Sequence, residues 1–325
     1  MMEALFFLAI GVLALYYGAD FLIKGAGKIA LKFGLSPLFI GLTIVALGTS
    51  LPELFVSLIA AYNGKASLSL GNVVGSNIAN IGLVLGLGAI IAKKGLKVKD
   101  QLFRFEMPLL LFYSILFSIF CMYGKLNIFH GFIMILFLLF FLIMSYKNSP
   151  KELLNSEEMK EIKKNTGNTI ILVAQIIIGG FALDYGADFT VKGAVIIAKA
   201  FNLSDAVIGA SIVAVGTSLP ELFTTIIALM KGQDDIGIGN ALGSNIFNIF
   251  GVMGVVSIVT PVVVEKSLLY LQIPAMLLIT AVLMPLMYTG TDKEGNRQPK
   301  ISRIEGLLLF IFYIVFMIIL YMKTF

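Results

Sequence analysis

The chain alternates between long apolar runs and short polar connections, and this pattern predicts helices that cross a membrane. A helix that crosses about 30 Å of hydrocarbon needs roughly 20 apolar residues. Ten such spans can be placed, in two groups of five on either side of a long polar stretch at 147–168. The predicted spans are 4–23, 37–62, 69–92, 105–123, 126–146, 169–191, 204–230, 236–260, 267–289 and 302–322. We expect an all-α, multi-pass protein of the cell membrane with ten transmembrane helices.

Composition supports this fold class. The 325 residues are 58% hydrophobic and 13% charged, and the mean hydropathy is +0.97. A soluble domain carries about 25% charged residues, so a large soluble enzyme and a nucleic-acid binder are disfavoured. A single cysteine, Cys121, excludes an internal disulfide, and a single histidine, His130, leaves no Cys/His metal cluster.

The basic residues predict the orientation of the chain. Of the 24 Lys and Arg residues, 18 fall in loops that follow odd-numbered spans, and 6 fall on the other side. Because cytoplasmic loops carry an excess of Lys and Arg, the central loop is predicted to be cytoplasmic and both termini outside. The net charge of +5 is therefore interpreted as a topology signal and not as a site for polyanions.

The two groups of spans contain the same motifs, shifted by 168 residues. Between residues 17–80 and the second copy, 36 of 64 positions are identical. The motifs are YGAD at 17–20 and 185–188, GTSLPELF at 48–55 and 216–223, and GNxxGSNI at 71–78 and 239–246. Because each copy has five spans, the second is predicted to be inverted in the membrane, an architecture typical of transporters. The predicted units are a first repeat at 1–146, a cytoplasmic linker at 147–168 and a second repeat at 169–325.

Two carboxylates, Glu53 and Glu221, lie deep within otherwise apolar spans, and they are 168 residues apart. An ionisable side chain at mid-bilayer costs at least about 2.5–3.5 kcal/mol. Two carboxylates that converge near a pseudo-twofold axis repel each other and require a cation. Obligatory exchange follows, because an empty carrier with two bare carboxylates does not reorient.

The residues around both carboxylates offer only oxygen ligands. Proline at 52 and 220 cannot donate a backbone hydrogen bond, so the carbonyls of Gly48 and Gly216 are expected to be free. Further candidate ligands are Thr49, Ser50, Thr217, Ser218, Ser76, Ser244, Asn80, Asn248, Ala46 and Ala214. Such a set suits Ca²⁺, which takes about 6–8 oxygens, or several Na⁺ ions. The competing structural interpretations are a proline-kinked helix for GTSLPE and helix packing for GNxxGSNI.

Charged residues elsewhere have simpler interpretations. Asp20 with Lys24, and Asp188 with Lys192, are spaced for ion pairs within a helix. Glu106 and Glu265 lie at span ends and are expected to be solvated. Asp184 aligns with Tyr16 and breaks the repeat. Its role, structural or gating, stays open.

With these motifs the sequence resembles the calcium:cation antiporter superfamily, and within it a prokaryotic sodium/calcium exchanger. The resemblance implies alternating access, in which spans one and six slide against the other helices. It also implies roles for the candidate ligands. Glu53 and Glu221 would be shared by Ca²⁺ and Na⁺, Asn80 and Asn248 would lie at their level, and the hydroxyls of the two GTS motifs would surround them. The carbonyls of Ala46 and Ala214, with Ser76 and Ser244, would form flanking Na⁺ sites.

The resemblance also indicates which ion drives transport and which partners to expect. Some relatives, including potassium-dependent ones, carry Asp where this chain has Asn248, so K⁺ co-transport is disfavoured. An H⁺-coupled antiporter, a passive cation channel and an intramembrane hydrolase are the competing functions. The expected partners are Ca²⁺, Na⁺ and the lipid bilayer. We expect no enzyme activity, no cofactor besides the transported ions, no nucleic acid and no obligatory protein partner.

Overall fold

The computed structural model describes residues 2–92, 94–149, 167–201, 214–288 and 299–324. Helices form most of this described chain, and four two-residue strands connect some of them. The helices are α1 (Met2–Phe33), α2 (Pro37–Thr49), α3 (Leu51–Tyr62), α4 (Ala66–Ile91), α5 (Leu102–Met122), α6 (Ile128–Asn148), α7 (Thr169–Ala200), α8 (Leu219–Met230), α9 (Asp234–Val259), α10 (Leu268–Met287) and α11 (Arg303–Thr324). A single helical turn, Ala214–Gly216, precedes α8.

Nine predicted spans have counterparts among the described helices. Eight helices are long and apolar enough to cross a membrane, and α2 with α3 forms a ninth span that bends by 42°. The predicted span 204–230 is described only from residue 214, where it contains the 12-residue helix α8. Large apolar side chains such as Phe132, Leu136 and Ile170 are 55%, 64% and 76% exposed, which suits contact with lipid. The chain is an all-helical, multi-pass membrane protein, and the count of ten helices stays a prediction.

The helices α1 and α7 are longer than the apolar pattern predicts. Each has 32 residues, about 48 Å at 1.5 Å per residue. The predicted spans stop near the first lysine of each helix, Lys24 and Lys192, but a lysine does not end a helix. The helix α1 ends just before Gly34, whose φ of 65° is left-handed. Both helices therefore extend beyond a hydrocarbon layer of about 30 Å.

Glycines at intervals of seven residues allow α1 and α7 to pack backbone to backbone. A Cβ added at Gly179 would lie 2.7 Å from Gly18 O, and one added at Gly186 would lie 2.8 Å from Leu15 N. At the far end, a Cβ at Gly193 would lie 2.7 Å from Ala4 O. Along the contact the residue numbers rise in α7 while they fall in α1, so the two helices pack in antiparallel directions. Such close contact is typical of small residues in membrane helices.

The helices α4 and α9 form the centre of the described chain. In an apolar stretch of 18 residues, 72% of the residues of α4 and 78% of those of α9 are buried. In the other six long helices the corresponding share is 28–44%. Each contains a π-helical segment, Asn80–Leu85 in α4 and Phe247–Val252 in α9. The two segments occupy related places in the two repeats, and π-helical turns are frequent at functional sites.

Two short antiparallel ribbons join the halves of the chain. Strand β1 (Leu96–Lys97), which follows α4, pairs with β4 (Lys300–Ile301), which precedes α11. In the same way β3 (Val262–Val263), which follows α9, pairs with β2 (Lys125–Leu126), which precedes α6. The two pairings are equivalent under exchange of the repeats.

Connections that the lysine count assigns to one membrane side do lie together. A cavity of about 1070 Å³ is lined by residues from the connections after predicted spans one, three, seven and nine. They include Lys28, Lys97, Lys99, Asp235 and Pro299. The ion pair between Lys99 Nζ and Asp235 Oδ2, at 2.6 Å, crosses between two of these connections. Which side of the membrane this end faces stays a prediction.

Candidate functional site

The two intramembrane carboxylates occupy equivalent positions in the fold. Glu53 and Glu221 each lie in the first turn of a short helix, α3 and α8, and both are fully buried. Each helix follows a serine with nearly the same backbone angles, φ −87° and ψ 1° at Ser50, and φ −88° and ψ 2° at Ser218. The partial positive charge of a helix N-terminus favours a carboxylate there. The charges of the two glutamates are close enough to interact.

The bend between α2 and α3 leaves backbone carbonyls without helical donors. The Ser50 N–H donates to Ala46 O at 3.0 Å, and the Leu54 N–H donates to Ser50 O at 3.2 Å. Pro52 has no N–H to give to Gly48 O, and the described chain shows no backbone donor to Gly48 O or to Thr49 O. The carbonyl of Ala46 carries one backbone hydrogen bond, which leaves one lone pair for another partner.

Hydroxyl groups surround both carboxylates. Ser50 Oγ, from the first repeat, donates to Glu221 Oε1 of the second repeat at 3.4 Å. Thr49 and Ser244 also lie beside Glu221, and Ser76 lies beside Glu53. The structure therefore brings together hydroxyls from both repeats around carboxylates from both repeats.

Many oxygens of this region have no hydrogen-bond partner among the described residues, although buried polar atoms are normally paired. Both carboxylate oxygens of Glu53, and Oε2 of Glu221, are buried without a hydrogen-bond partner. The others at the site are the side-chain oxygens of Asn80, Asn248, Thr217 and Ser218. A concentration of unpaired, buried oxygens around two negative charges is the donor set of a hard cation.

The asparagines Asn80 and Asn248 lie where the π-helical segments meet the short helices. The segment that begins at Asn80 packs against α8, which carries Glu221, and the segment that contains Asn248 packs against α3, which carries Glu53. Both asparagine side chains are fully buried. In each repeat, the segment that holds the asparagine thus packs against the helix that holds the other repeat's carboxylate. Of the predicted ligands, Ala214 opens the turn before α8.

The donor set excludes some metals. Among the described residues there is no group of three or more His, Cys, Asp or Glu side chains that could hold a metal ion. Two carboxylates with hydroxyl, amide and carbonyl oxygens suit Ca²⁺ or Na⁺, whereas Zn²⁺ prefers nitrogen and sulfur.

One buried residue at the site was not among the predicted ligands. Asn240, on α9, accepts a hydrogen bond from Thr49 Oγ1 at 3.0 Å and is fully buried. The motif at 239–246 contains Asn240, but the spacing alone gave no reason to separate it from helix packing. Glycines next to it bring α9 close to α2, since a Cβ added at Gly243 would lie 2.5 Å from Leu42 O.

The charged residues outside the site divide into confirmed and corrected expectations. The ion pairs Asp20–Lys24 and Asp188–Lys192 are present, each at 2.6 Å. Asp20 also pairs with Lys231, at the end of α8.

The expectation for Glu106 is wrong. This side chain is 1% exposed and accepts a hydrogen bond from Gln101 Nε2 at 2.7 Å. The reason is that α5 already begins at Leu102, so Glu106 lies inside the helix, within reach of Gln101, and not in a connection at the membrane boundary.

Comparison with known proteins gives one consistent result. A family model described as sodium/calcium exchanger protein matches residues 3–147 and again 171–322. The putative antiporter CaxA of Alkalimonas amylolytica is 36% identical over 325 residues, which covers 99% of each chain. The sodium/calcium exchanger MaX1 of Methanosarcina acetivorans is 31% identical over 356 residues, which covers 97% of each. A solved structure of the sodium-calcium exchanger NCX_Mj superposes with a TM-score of 0.81 at 31% identity, covering 97% of each chain.

Proposed function

The chain belongs to the sodium/calcium exchanger protein family, and on that premise we propose that it exchanges Ca²⁺ for Na⁺ by alternating access. It is a membrane transporter and not an enzyme, and cation/Ca²⁺ antiport is the activity of its family. The finer statement, that Na⁺ is the coupling ion, is our proposal. We also propose that the purified chain works without a cofactor or a protein partner.

The observation that carries this proposal is the set of unpaired oxygens around Glu53 and Glu221. Two buried negative charges are balanced by one Ca²⁺ or by Na⁺ ions that occupy the same place in turn. Because the two carboxylates come from different repeats, a cation between them is held by both halves of the chain. When no cation is present, a conformational change that keeps both carboxylates away from water leaves two uncompensated charges in the membrane interior, which is energetically costly. Exchange is then obligatory.

In this proposal every predicted ligand has a role. Glu53 and Glu221 are the ligands that Ca²⁺ and Na⁺ share, and Asn80 and Asn248 lie at their level. The hydroxyls of Thr49, Ser50, Thr217 and Ser218 complete the central region. The flanking Na⁺ sites use the carbonyls of Ala46 and Ala214 with the hydroxyls of Ser76 and Ser244.

The proposed architecture is the one that the sequence predicts. Ten transmembrane helices form two inverted repeats, residues 1–146 and 169–325, with both termini outside. The linker 147–168 is cytoplasmic. The equivalent ribbons β1–β4 and β2–β3 and the matching backbone angles at Ser50 and Ser218 support a symmetric arrangement of this kind.

The test is ion-replacement flux in proteoliposomes that contain the purified chain alone. An outward Na⁺ gradient is expected to drive uptake of radioactive Ca²⁺, and K⁺ or pH gradients are not. Glu53→Gln and Glu221→Gln lower the charge of the site from −2 to −1 and should reduce uptake to the level of empty liposomes. Glu265→Gln, which removes an exposed carboxylate, is the matched control and should retain uptake.

Three results would contradict the proposal. Full transport by both glutamine variants would remove the carboxylates from the mechanism. Uptake driven by K⁺ or pH gradients in place of Na⁺ would assign another coupling ion. Flux that is independent of any counter-ion gradient, with single-channel currents, would identify a channel.

A further inference from the structure

Both polar atoms of the Asn240 side chain are used within the protein. Its Nδ2 lies 3.4 Å from Glu221 O and 3.2 Å from Thr225 Oγ1. A carbonyl oxygen can only accept, so the amide nitrogen must be the atom that faces Glu221 O. The amide oxygen then faces Thr49, whose Oγ1 lies 3.0 Å away. The contacts fix the orientation of this side chain and connect α2 of the first repeat to α8 of the second.

This orientation decides where the Thr49 proton goes. Three acceptors lie around the Thr49 hydroxyl, which are Asn240 Oδ1 at 3.0 Å, Ala46 O at 3.3 Å and Ser244 Oγ at 3.3 Å. A threonine hydroxyl has one proton and two lone pairs. When it donates to the nearest acceptor, Asn240, its lone pairs stay available and the second lone pair of Ala46 O is released. The Ala46 carbonyl then becomes free for a cation, and the direction of the Thr49 lone pairs is fixed.

The related residue in the first repeat makes fewer contacts. Asn72 is half-buried and donates from Nδ2 to Ser57 Oγ at 3.1 Å, which corresponds to the bond from Asn240 to Thr225. The cross-repeat bond has no counterpart among the described residues, because Thr217 Oγ1 has no partner there. Only one of the two site threonines is oriented from the opposite repeat.

We propose that Asn240 is a positioning residue that orients Thr49 as an ion ligand. This inference rests on the proposed exchange activity and deepens it. Asn240 acts through Thr49 and touches no ion itself. Its loss frees the Thr49 hydroxyl to donate to Ala46 O, which occupies that carbonyl, reorients the Thr49 lone pairs and weakens ion binding. A buried hydrogen bond contributes about 0.5–1.5 kcal/mol, so the KM for the ion should rise about 3- to 10-fold.

The experiment is a double-mutant cycle with Asn240→Ala and Thr49→Val, which measures whether the two effects depend on each other. KM and the maximal rate are obtained from Na⁺-driven Ca²⁺ uptake at varied Ca²⁺ and at varied Na⁺. Asn72→Ala, combined with the same Thr49→Val change, is the matched control. Asn240→Ser is a second, milder variant in case Asn240→Ala reaches the membrane poorly.

The expected result is that Asn240→Ala raises KM about 3- to 10-fold when Thr49 is present, and less than about twofold when position 49 is Val. Asn72→Ala should change KM by the same factor in both backgrounds. Equal effects of Asn240→Ala in both backgrounds, or a lower maximal rate at unchanged KM, would overturn the inference. If the wild-type chain shows no Na⁺-driven uptake, the proposed function is wrong and the inference on Asn240 is still testable. The same double-mutant cycle is then measured by equilibrium binding of radioactive Ca²⁺ to the wild type and the variants.

Discussion

The neighbouring glycines Gly179 and Gly180 allow a sharp test of the α1–α7 contact. A Cβ added at Gly179 would lie 2.7 Å from two backbone atoms of α1, Gly18 O and Leu22 N. Carbon contacts are normally about 3.5–4.0 Å, so the added methyl would be nearly 1 Å too close. Neither neighbour is a side chain that can turn away. The helices would have to separate along the whole contact.

The expected cost follows from this geometry. Inserting one methyl group into a close-packed interior costs about 1–3 kcal/mol. A change of 1 kcal/mol moves Tm by about 2–4 °C in proteins of 150–250 residues. We therefore expect Gly179→Ala to lower the Tm of the detergent-purified protein by roughly 2–12 °C.

The control is Gly180→Ala, one residue along the same helix. Apart from the backbone of α7 itself, no described atom lies within 4 Å of the added Cβ there, and alanine is favoured over glycine in a helix by about 1 kcal/mol. Gly180→Ala should keep or slightly raise Tm. Thermal unfolding of both variants, followed by a thiol-reactive dye that reports exposure of the buried Cys121, gives the comparison. Equal Tm values for the two variants would show that the close contact of α1 and α7 is not as described.

Two further predictions concern charge at and near the site. Asn248→Asp places a third carboxylate beside Glu53 and Glu221, so we expect a lower KM for Ca²⁺ and slower turnover, because a more negative site releases a divalent ion less readily. Ca²⁺ uptake measured against Ca²⁺ concentration checks this, and an unchanged KM would contradict it. Asp184 is exposed at the middle of α7, and its charge reaches Glu53. Asp184→Asn should raise the KM for Ca²⁺ by less than about twofold at low salt and have no effect at high salt, whereas Asp188→Asn, whose charge Lys192 already balances, should leave KM unchanged at both.

Apolar length and internal repetition made much of the fold predictable. Runs of about 20 apolar residues form few stable structures besides a membrane helix, and the described helices agree. The hinge at Ser50 was partly predictable, because Pro52 removes a backbone donor at a known distance. The 32-residue length of α1 was not, because hydropathy locates the lipid boundary and not the end of the helix.

Contacts between distant segments were harder to predict. The glycines at 11, 18 and 25 and at 179, 186 and 193 share a spacing of seven residues, which indicates one small-residue face on each helix. That pattern was visible, but it does not say which helix each face contacts. The role of Asn240 depends on Thr49, which lies 191 residues away in the sequence, and no local pattern contains that pair. Glu106 shows the opposite case, since it lies in the first turns of α5 and its partner, Gln101, is only five residues away in the sequence.

The two ribbons have a consequence for how such a chain could arise. Each half contributes two short strands, and each strand finds its partner only in the other half. A polypeptide with one half alone would expose both as unpaired edges, which invite association with another chain. A second copy of the same half would satisfy all of those edges at once, with β1 of each copy against β2 of the other. Two separate copies of one half could therefore close each other's strand edges in the same way as the two halves of this single chain do.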